Sequence, residues 1–164
     1  MLIRPVESNQ DIIKAYEIET SVFSKEAAAA LEAFQMRKQL FGAYFLVAEN
    51  ELDHQIIGVT NSIKLHDKEL ADDSIKQVTQ HAEDGQYLCI LTIAVHPSYQ
   101  RRGVATKLLQ RIIEIARKDG LKGIVLMCEE HLISFYEKHG FLYVAPSASQ
   151  HAGIKWHEMN LLWK

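Results

Sequence analysis

The sequence predicts one α/β domain spanning 1–164, and three observations carry that expectation. Residues 87–95, Tyr-Leu-Cys-Ile-Leu-Thr-Ile-Ala-Val, form a nearly unbroken apolar run rich in β-branched side chains, the pattern of a strand covered on both faces. Beyond Pro97 the spacing turns helical, with Val104, Leu108, Leu109, Ile112, Ile113 and Ala116 recurring at three and four residues. The alternation then repeats. Residues 121–128 (LKGIVLMC) read as a second buried strand, 130–139 as a short helix stopped by Gly140 at its C′ position, and the chain from Phe141 as strand again. At 164 residues, 48% hydrophobic and 24% charged, there is material for one well-packed domain and little for two.

Taken in order, residues 2–6 read as a short strand, and Ser8 or Asn9 caps a helix to about residue 20 with Ile12, Ile13, Tyr16 and Ile18 as its apolar set. After the link Ser21-Val22-Phe23, Ser24 is the expected N-cap of a second helix. Lys25-Glu26-Ala27-Ala28-Ala29-Ala30-Leu31-Glu32 has high helix propensity, and the pattern continues to about residue 40. Residues 43–49 and 55–64 read as two strands of a hairpin joined by the polar turn 50–54. The polar stretch 65–86 reads as a loop with one helical segment at 72–81. Its Asp67, Glu69, Asp72, Asp73, Glu83 and Asp84 outnumber Lys68 and Lys76, which makes either an acidic surface that draws cations to a cleft or a solvated loop. Residues 147–153 read as a loop and 155–163 as a closing strand.

Composition excludes several classes of partner. A formal net charge of −3 and a pI near 6.2 give no reason to expect nucleic-acid binding. No apolar run approaches the roughly 20 residues that span a bilayer, and MLIRPVESNQ lacks a signal-peptide core, so the expected setting is the cytoplasm with no membrane partner. Cys89 and Cys128 both fall in buried strands and read as reduced core residues. The eight histidines contain no HExxH or comparable cluster, and no metal is expected.

The junction Gln100-Arg101-Arg102-Gly103-Val104-Ala105 carries chemistry. The first turn of a helix leaves about four backbone N–H groups without partners and carries roughly half a positive charge, so main chain alone can hold an anion there. Gly103 permits close approach, Ala105 keeps the next position small, and Arg101 and Arg102 add charge, a combination that suits a pyrophosphate. No Gly-Lys-Ser/Thr follows and only one glycine is present, so neither a Walker loop nor GxGxxG is met. The alternative is a plain strand-turn-helix connection with solvated arginines.

These six residues resemble the Q/R-x-x-G-x-G/A signature of the GNAT superfamily of N-acetyltransferases, and Phe135-Tyr136-Glu137-Lys138-His139-Gly140-Phe141 resembles that superfamily's fYeklGF segment. Ala94-Val95-His96-Pro97-Ser98-Tyr99, Val125-Leu126-Met127-Cys128-Glu129-Glu130 and Glu158-Met159 are similar to the arylalkylamine (serotonin-type) branch. The resemblance implies a mixed, twisted sheet of about seven strands flanked by helices, with a V-shaped acetyl-CoA cleft between the strands at 88–95 and 123–128. It implies acetyl-CoA as co-substrate and direct attack by a primary amine in a ternary complex. Tyr136 is the implied general acid. Main-chain groups of Ile93, Ala94 and Val95 are implied to hold the pantetheine arm, and the N–H groups of Arg101, Arg102, Gly103, Val104, Ala105 and Thr106 the pyrophosphate. Tyr16, Phe23 and Phe34 are candidates for an acceptor wall or for ordinary core, and Trp156 for an aromatic surface or for packing.

The general base is where this chain departs from the branch. The branch carries His-x-His on the strand before Ala-Val-His, and the aligned positions here are Cys89 and Leu91, neither of which relays a proton as imidazole does. Candidate substitutes are a water chain to backbone carbonyls, Glu129, Glu83, or His157, whose ordinary pKa near 6.5 makes it the best base by chemistry alone. His96, before Pro97, reads as a turn residue. The implied acceptor is a small arylalkylamine-like or other alkylamine. The alternatives are a polyamine, a protein N-terminus or lysine, or a catalytically weak acyl-CoA-binding module. Monomer and homodimer both stay open.

Overall fold

The structure, a computed structural model, describes residues 1–23, 30–68, 84–147 and 151–163. Its elements run β1 (Leu2–Pro5), α1 (Asn9–Val22), α2 (Leu31–Phe41), β2 (Leu46–Glu49), β3 (Ile56–Leu65), β4 (Tyr87–Val95), α3 (Val104–Lys118), β5 (Gly123–Cys128), α4 (Ile133–Glu137), β6 (Leu142–Pro146) and β7 (His157–Leu162). The strands form one seven-stranded sheet in the order β1-β2-β3-β4-β5-β7-β6. Every neighbouring pair is antiparallel except β4–β5. That pair is parallel because α3 carries the chain back across the sheet, as parallel neighbours require.

Two apolar layers result. Val47, Val59 and Ala94 join Ile12, Ala15 and Ile18 of α1 and Phe34 of α2 in one. Leu46, Ala48, Leu88 and Val95 join Val104, Leu108, Leu109 and Ile112 of α3 in the other. The strand period of two sends successive side chains to opposite layers. The stripe of α3 is buried as its spacing predicts except at the half-buried Ile113, and its N-terminal turn docks closely on β3. A Cβ at Gly58 would lie 2.8 Å from Val104 Cγ1 and 3.1 Å from Leu108 Cδ1, so the contact exists because that residue has no side chain.

β4 and β5 are paired only from Tyr87–Gly123 to Ile90–Leu126. Beyond that point they part. The parting coincides with a bulge on β4, where Asn61 pairs with Thr92 and Ser62 with Ile90, leaving Leu91 without a partner on β3. An extra residue increases local twist and bends its strand. The implied V-shaped gap is present, and it opens above residue 90 rather than along the whole of 88–95.

Several elements differ from the sequence reading. Ser8 does cap α1, accepting from the Asp11 N–H at 3.2 Å, but Ile13 is exposed, and Ala15, Asp11 and Glu19 are buried instead. Ala30 is extended (φ −71°, ψ 155°), so α2 begins at Leu31. The first part, 24–29, of the helix expected from Ser24 to about residue 40, the helical segment expected at 72–81 and part of the expected loop at 147–153 lie outside the described residues. Residues 43 and 44, expected to begin a strand, belong instead to a 3-10 turn at Gly42–Tyr44 that lets Tyr44 donate to Asp119 Oδ2 at 2.6 Å. The helix expected at 130–139 is a 3-10 turn at Glu130–Leu132 leading into the five-residue α4.

Candidate active site

The gap between β4 and β5 holds two adjoining chambers. The outer one is a cleft of about 820 Å³ bordered by Ile93, Ala94 and Val95 of β4, the 99–106 segment, the end of α1, and Glu129, His131, Leu132 and Phe135. The inner one, of about 30 Å³, is bordered by the bulged stretch of β4, Met127 and Cys128 of β5, Leu132, Tyr136 and Trp156. Phe23, Ile93, Glu129 and Leu132 border both. The inner chamber has room for roughly one water molecule or a methyl-sized group.

At the mouth of the outer cleft, Arg101 (φ 65°) and Gly103 (φ 82°) are both left-handed. Backbone of alternating hand turns successive N–H groups to one side and makes an anion-binding concavity. Lys107 is the first residue of α3 whose N–H closes back onto this turn, donating to the Gly103 carbonyl at 3.1 Å, which leaves the amides of the first turn for a ligand. Nothing lies within 4 Å of where a Gly103 Cβ would stand, so glycine serves here for its backbone conformation. Arg101 borders the cleft, whereas Arg102 stacks over the Tyr99 ring at 5.4 Å. Gln100 Nε2 donates to the Val95 carbonyl at 3.1 Å and ties the loop to the strand it leaves. His96 Nδ1 accepts from the Ser98 N–H at 3.0 Å, the turn role its place before Pro97 predicts. These groups fit a pyrophosphate-bearing chain laid along the free edge of β4.

Tyr136 borders the inner chamber with 6% of its surface exposed. Phe135 and Phe141 pack edge-on against it at centroid distances of 5.1 and 5.5 Å. Burial pushes its phenol above the ordinary value of 10, with Cys128 adding a smaller push, so it keeps its proton throughout the neutral range. Burial also raises the Cys128 thiol to about 11, and the neighbouring Glu129 carboxylate contributes.

The remaining candidates separate cleanly. Phe23 and Trp156 border the inner chamber. Tyr16 and Phe34 pack on each other at 5.9 Å and border neither chamber; Phe34 is fully buried core and Tyr16 is partly buried against it. His157, the best base by chemistry alone, borders neither chamber: it is 7% exposed, and its Nδ1 is held by the Tyr143 hydroxyl at 2.9 Å. Glu83 lies outside the described residues. Sequence reasoning missed a buried polar group behind β4. Thr92 donates to Glu19 Oε1, and Arg37 Nη1 donates to Asn61 Oδ1 at 2.6 Å. Their only signal in the sequence is charge on apolar helix faces. Among the described residues no group of three or more His, Cys, Asp or Glu is arranged to hold a metal ion, and no helix is long and apolar enough to cross a membrane.

A twisted mixed sheet whose one parallel pair splays beside a helix N-terminus is an architecture shared with solved acyl-CoA-binding proteins. The GNAT-like decarboxylase GphF in complex with isobutyryl-CoA superposes with a TM-score of 0.83 over 99% of both chains at 15% identity, a likeness of fold alone. The model of the acetyltransferase (GNAT) family matches residues 10–141, and the chain belongs to that family, as an acyltransferase. It is 32% identical over 148 residues to serotonin N-acetyltransferase of Mesocricetus auratus, covering 85% of this chain and 67% of that protein. It is 27% identical over 88 residues to N-alpha-acetyltransferase 50 of Danio rerio, covering 51% of this chain and 52% of that protein.

Proposed function

We propose that the protein moves an acetyl group from acetyl-CoA to a small primary amine of arylalkylamine-like or other alkylamine type, by direct attack in a ternary complex. What supports this most is convergence. The free edge at Ile93–Val95, the amide-rich start of α3 and the buried phenol of Tyr136 border two chambers that share four residues. In this reading the edge of β4 binds the pantetheine arm, the N–H groups of 101–106 bind the pyrophosphate, and Tyr136 gives its proton to the departing sulfur. An inner chamber of about 30 Å³ suits the methyl of an acetyl group better than a longer acyl chain.

Direct attack is favoured over a covalent acyl-enzyme because the thiol nearest the site, Cys128, is raised to about 11 and so holds its proton, whereas the thiolate is the nucleophile. The likeness to the hamster enzyme named above favours an aromatic amine, with Phe23 and Trp156 as apolar wall. The partial likeness to an N-alpha-acetyltransferase supports a second reading, a peptide α-amine.

The test is release of free thiol from acetyl-CoA with tryptamine, phenethylamine, spermidine, a lysine peptide and a peptide with a free N-terminus. Intersecting initial-rate lines are expected rather than the parallel lines of a ping-pong scheme. Tyr136→Phe is expected to lower kcat about 10²-fold or more while acetyl-CoA still binds. Turnover of none of these amines would overturn the reading, and preference for the free N-terminus would select the second.

A further inference from the structure

With Cys89 and Leu91 where an imidazole pair would stand, and His157 turned into the β6–β7 pair, the acceptor's proton needs another route. Glu129 lies at the end of β5, on the arm of the gap opposite Ile93–Val95. Its backbone is fixed by the Leu132 N–H, which donates to the Glu129 carbonyl at 3.0 Å. The side chain is half-buried and borders both chambers, and no other carboxylate borders either among the described residues. Among the described residues that carboxylate takes part in no hydrogen bond and no ion pair, unlike Asp11 and Glu49, which share Arg4.

The titratable groups around it are few. Cys128 precedes it on β5, Tyr136 faces the inner chamber from α4, His131 borders the outer cleft, and Tyr99 and Arg101 approach from the loop before α3. Glu130 follows it and is exposed, the β4 and α1 residues that border the chambers carry no titratable group, and behind them Cys89 is buried on β4 and Glu19 of α1 accepts from Thr92. His131 is exposed and borders only the outer cleft, away from Tyr136.

We propose that Glu129 takes the first proton from the acceptor ammonium and hands it to bulk water through the outer cleft. The proposal rests on the transfer reading above. An ammonium brings three protons on nitrogen, and the amide product keeps one. The Glu129 carboxylate accepts the first, directly or through one water, and frees the lone pair that forms the bond to the thioester carbonyl carbon. The second leaves nitrogen as the carbon–sulfur bond breaks and its electron pair passes to sulfur. It replaces the phenolic proton that Tyr136 gives to that sulfur. One proton per turnover reaches solvent. A carboxylate is a far weaker base than an alkylamine, so contact with both chambers is the property that matters: the proton need not accumulate on Glu129.

The test compares wild type, Glu129→Gln, Glu129→Asp and His131→Gln on the best amine of the panel from pH 6 to 9. With the base in place, kcat/KM is expected to vary little, because the ammonium itself is bound. Glu129→Gln must wait for pre-neutral amine. Its kcat/KM should be about 10²- to 10³-fold lower at pH 7 and should rise about tenfold per pH unit, as the neutral fraction of an amine of ordinary pKa does. Glu129→Asp should keep the shape of the wild-type profile, and acetyl-CoA affinity by calorimetry should change less than about threefold. A Glu129→Gln profile parallel to wild type would overturn the proposal while leaving the transfer reading intact, as would the rising profile appearing in His131→Gln instead. A wild type inactive on every amine would remove both.

Discussion

Tyr136 shows how burial tunes a residue for one direction of proton traffic. Its phenol is pushed upward by burial among Phe135 and Phe141, so in the proposed reaction it would give up its proton only when strong negative charge develops beside it, as on a sulfur losing its acyl group. A group whose pKa is raised keeps its proton as pH climbs. No alkaline loss of kcat from this residue is therefore expected below pH 10. A pH–kcat series in wild type checks this: a decline with a midpoint below about 9 that disappears in Tyr136→Phe would refute it. Tyr136 and the 101–106 segment stand out in the sequence because each sits in a run whose order and spacing are distinctive, and their roles are part of the proposal. Glu129 stands in the sequence only as one of several candidate bases, and His157, the better base by chemistry yet read chiefly as structural, could not be placed there, because chemistry can be read from a residue type whereas direction cannot. Tyr143 lies opposite Met159 in the register, yet its hydroxyl reaches across the β6–β7 pair to His157 Nδ1, a relation no local pattern reveals.

The bulge at Leu91 and the contact of α3 with β3 decide the site at the level of elements. Both β4 and α3 were legible end to end, since a strand buried on both faces and a helix with one apolar stripe are strong patterns. The bulge was not, because one extra residue in a continuous apolar run leaves no mark on the run itself. Helix boundaries also failed where propensity alone was the guide. Ala30 favours helix intrinsically yet is extended, one of the overrides that tertiary context exerts. Gly58 supplies the prediction at this scale. Its replacement by Ala would set a methyl 2.8 Å from Val104 Cγ1, and overpacking of this kind costs roughly 1–3 kcal/mol. Because Val104 opens α3, the strain falls on the turn proposed to offer its amides to the pyrophosphate. Thermal melts and acetyl-CoA titration of Gly58→Ala should therefore show a lower Tm together with weaker binding, whereas a loss of stability with unchanged affinity would disconnect the two.

At the scale of the whole molecule, the layer between the sheet and α1–α2 holds buried charge. Arg37 and Glu19 are fully buried, and burial pulls the Arg37 guanidinium down to about 10 against the favourable influence of Glu19. Removing one member of a buried charged group leaves the other uncompensated, at a cost of roughly 3–5 kcal/mol. Arg37→Leu should lose stability of that order in urea titration, and a double variant with Glu19→Gln should recover part of it. Equal losses in the single and double variants would show that the two charges are not coupled. The overall architecture was legible through its alternation of strand and helix, but the strand order was not, because pairing between distant segments leaves no periodic trace. That order has a consequence for synthesis. β7 follows β6 in the chain yet lies between β5 and β6, so a nascent chain that has emerged only as far as β6 has nowhere to attach it. Leu142 and Val144, exposed even in the finished protein, must wait in water until β7 leaves the ribosome, and the half of the gap that holds Glu129 and Trp156 closes last.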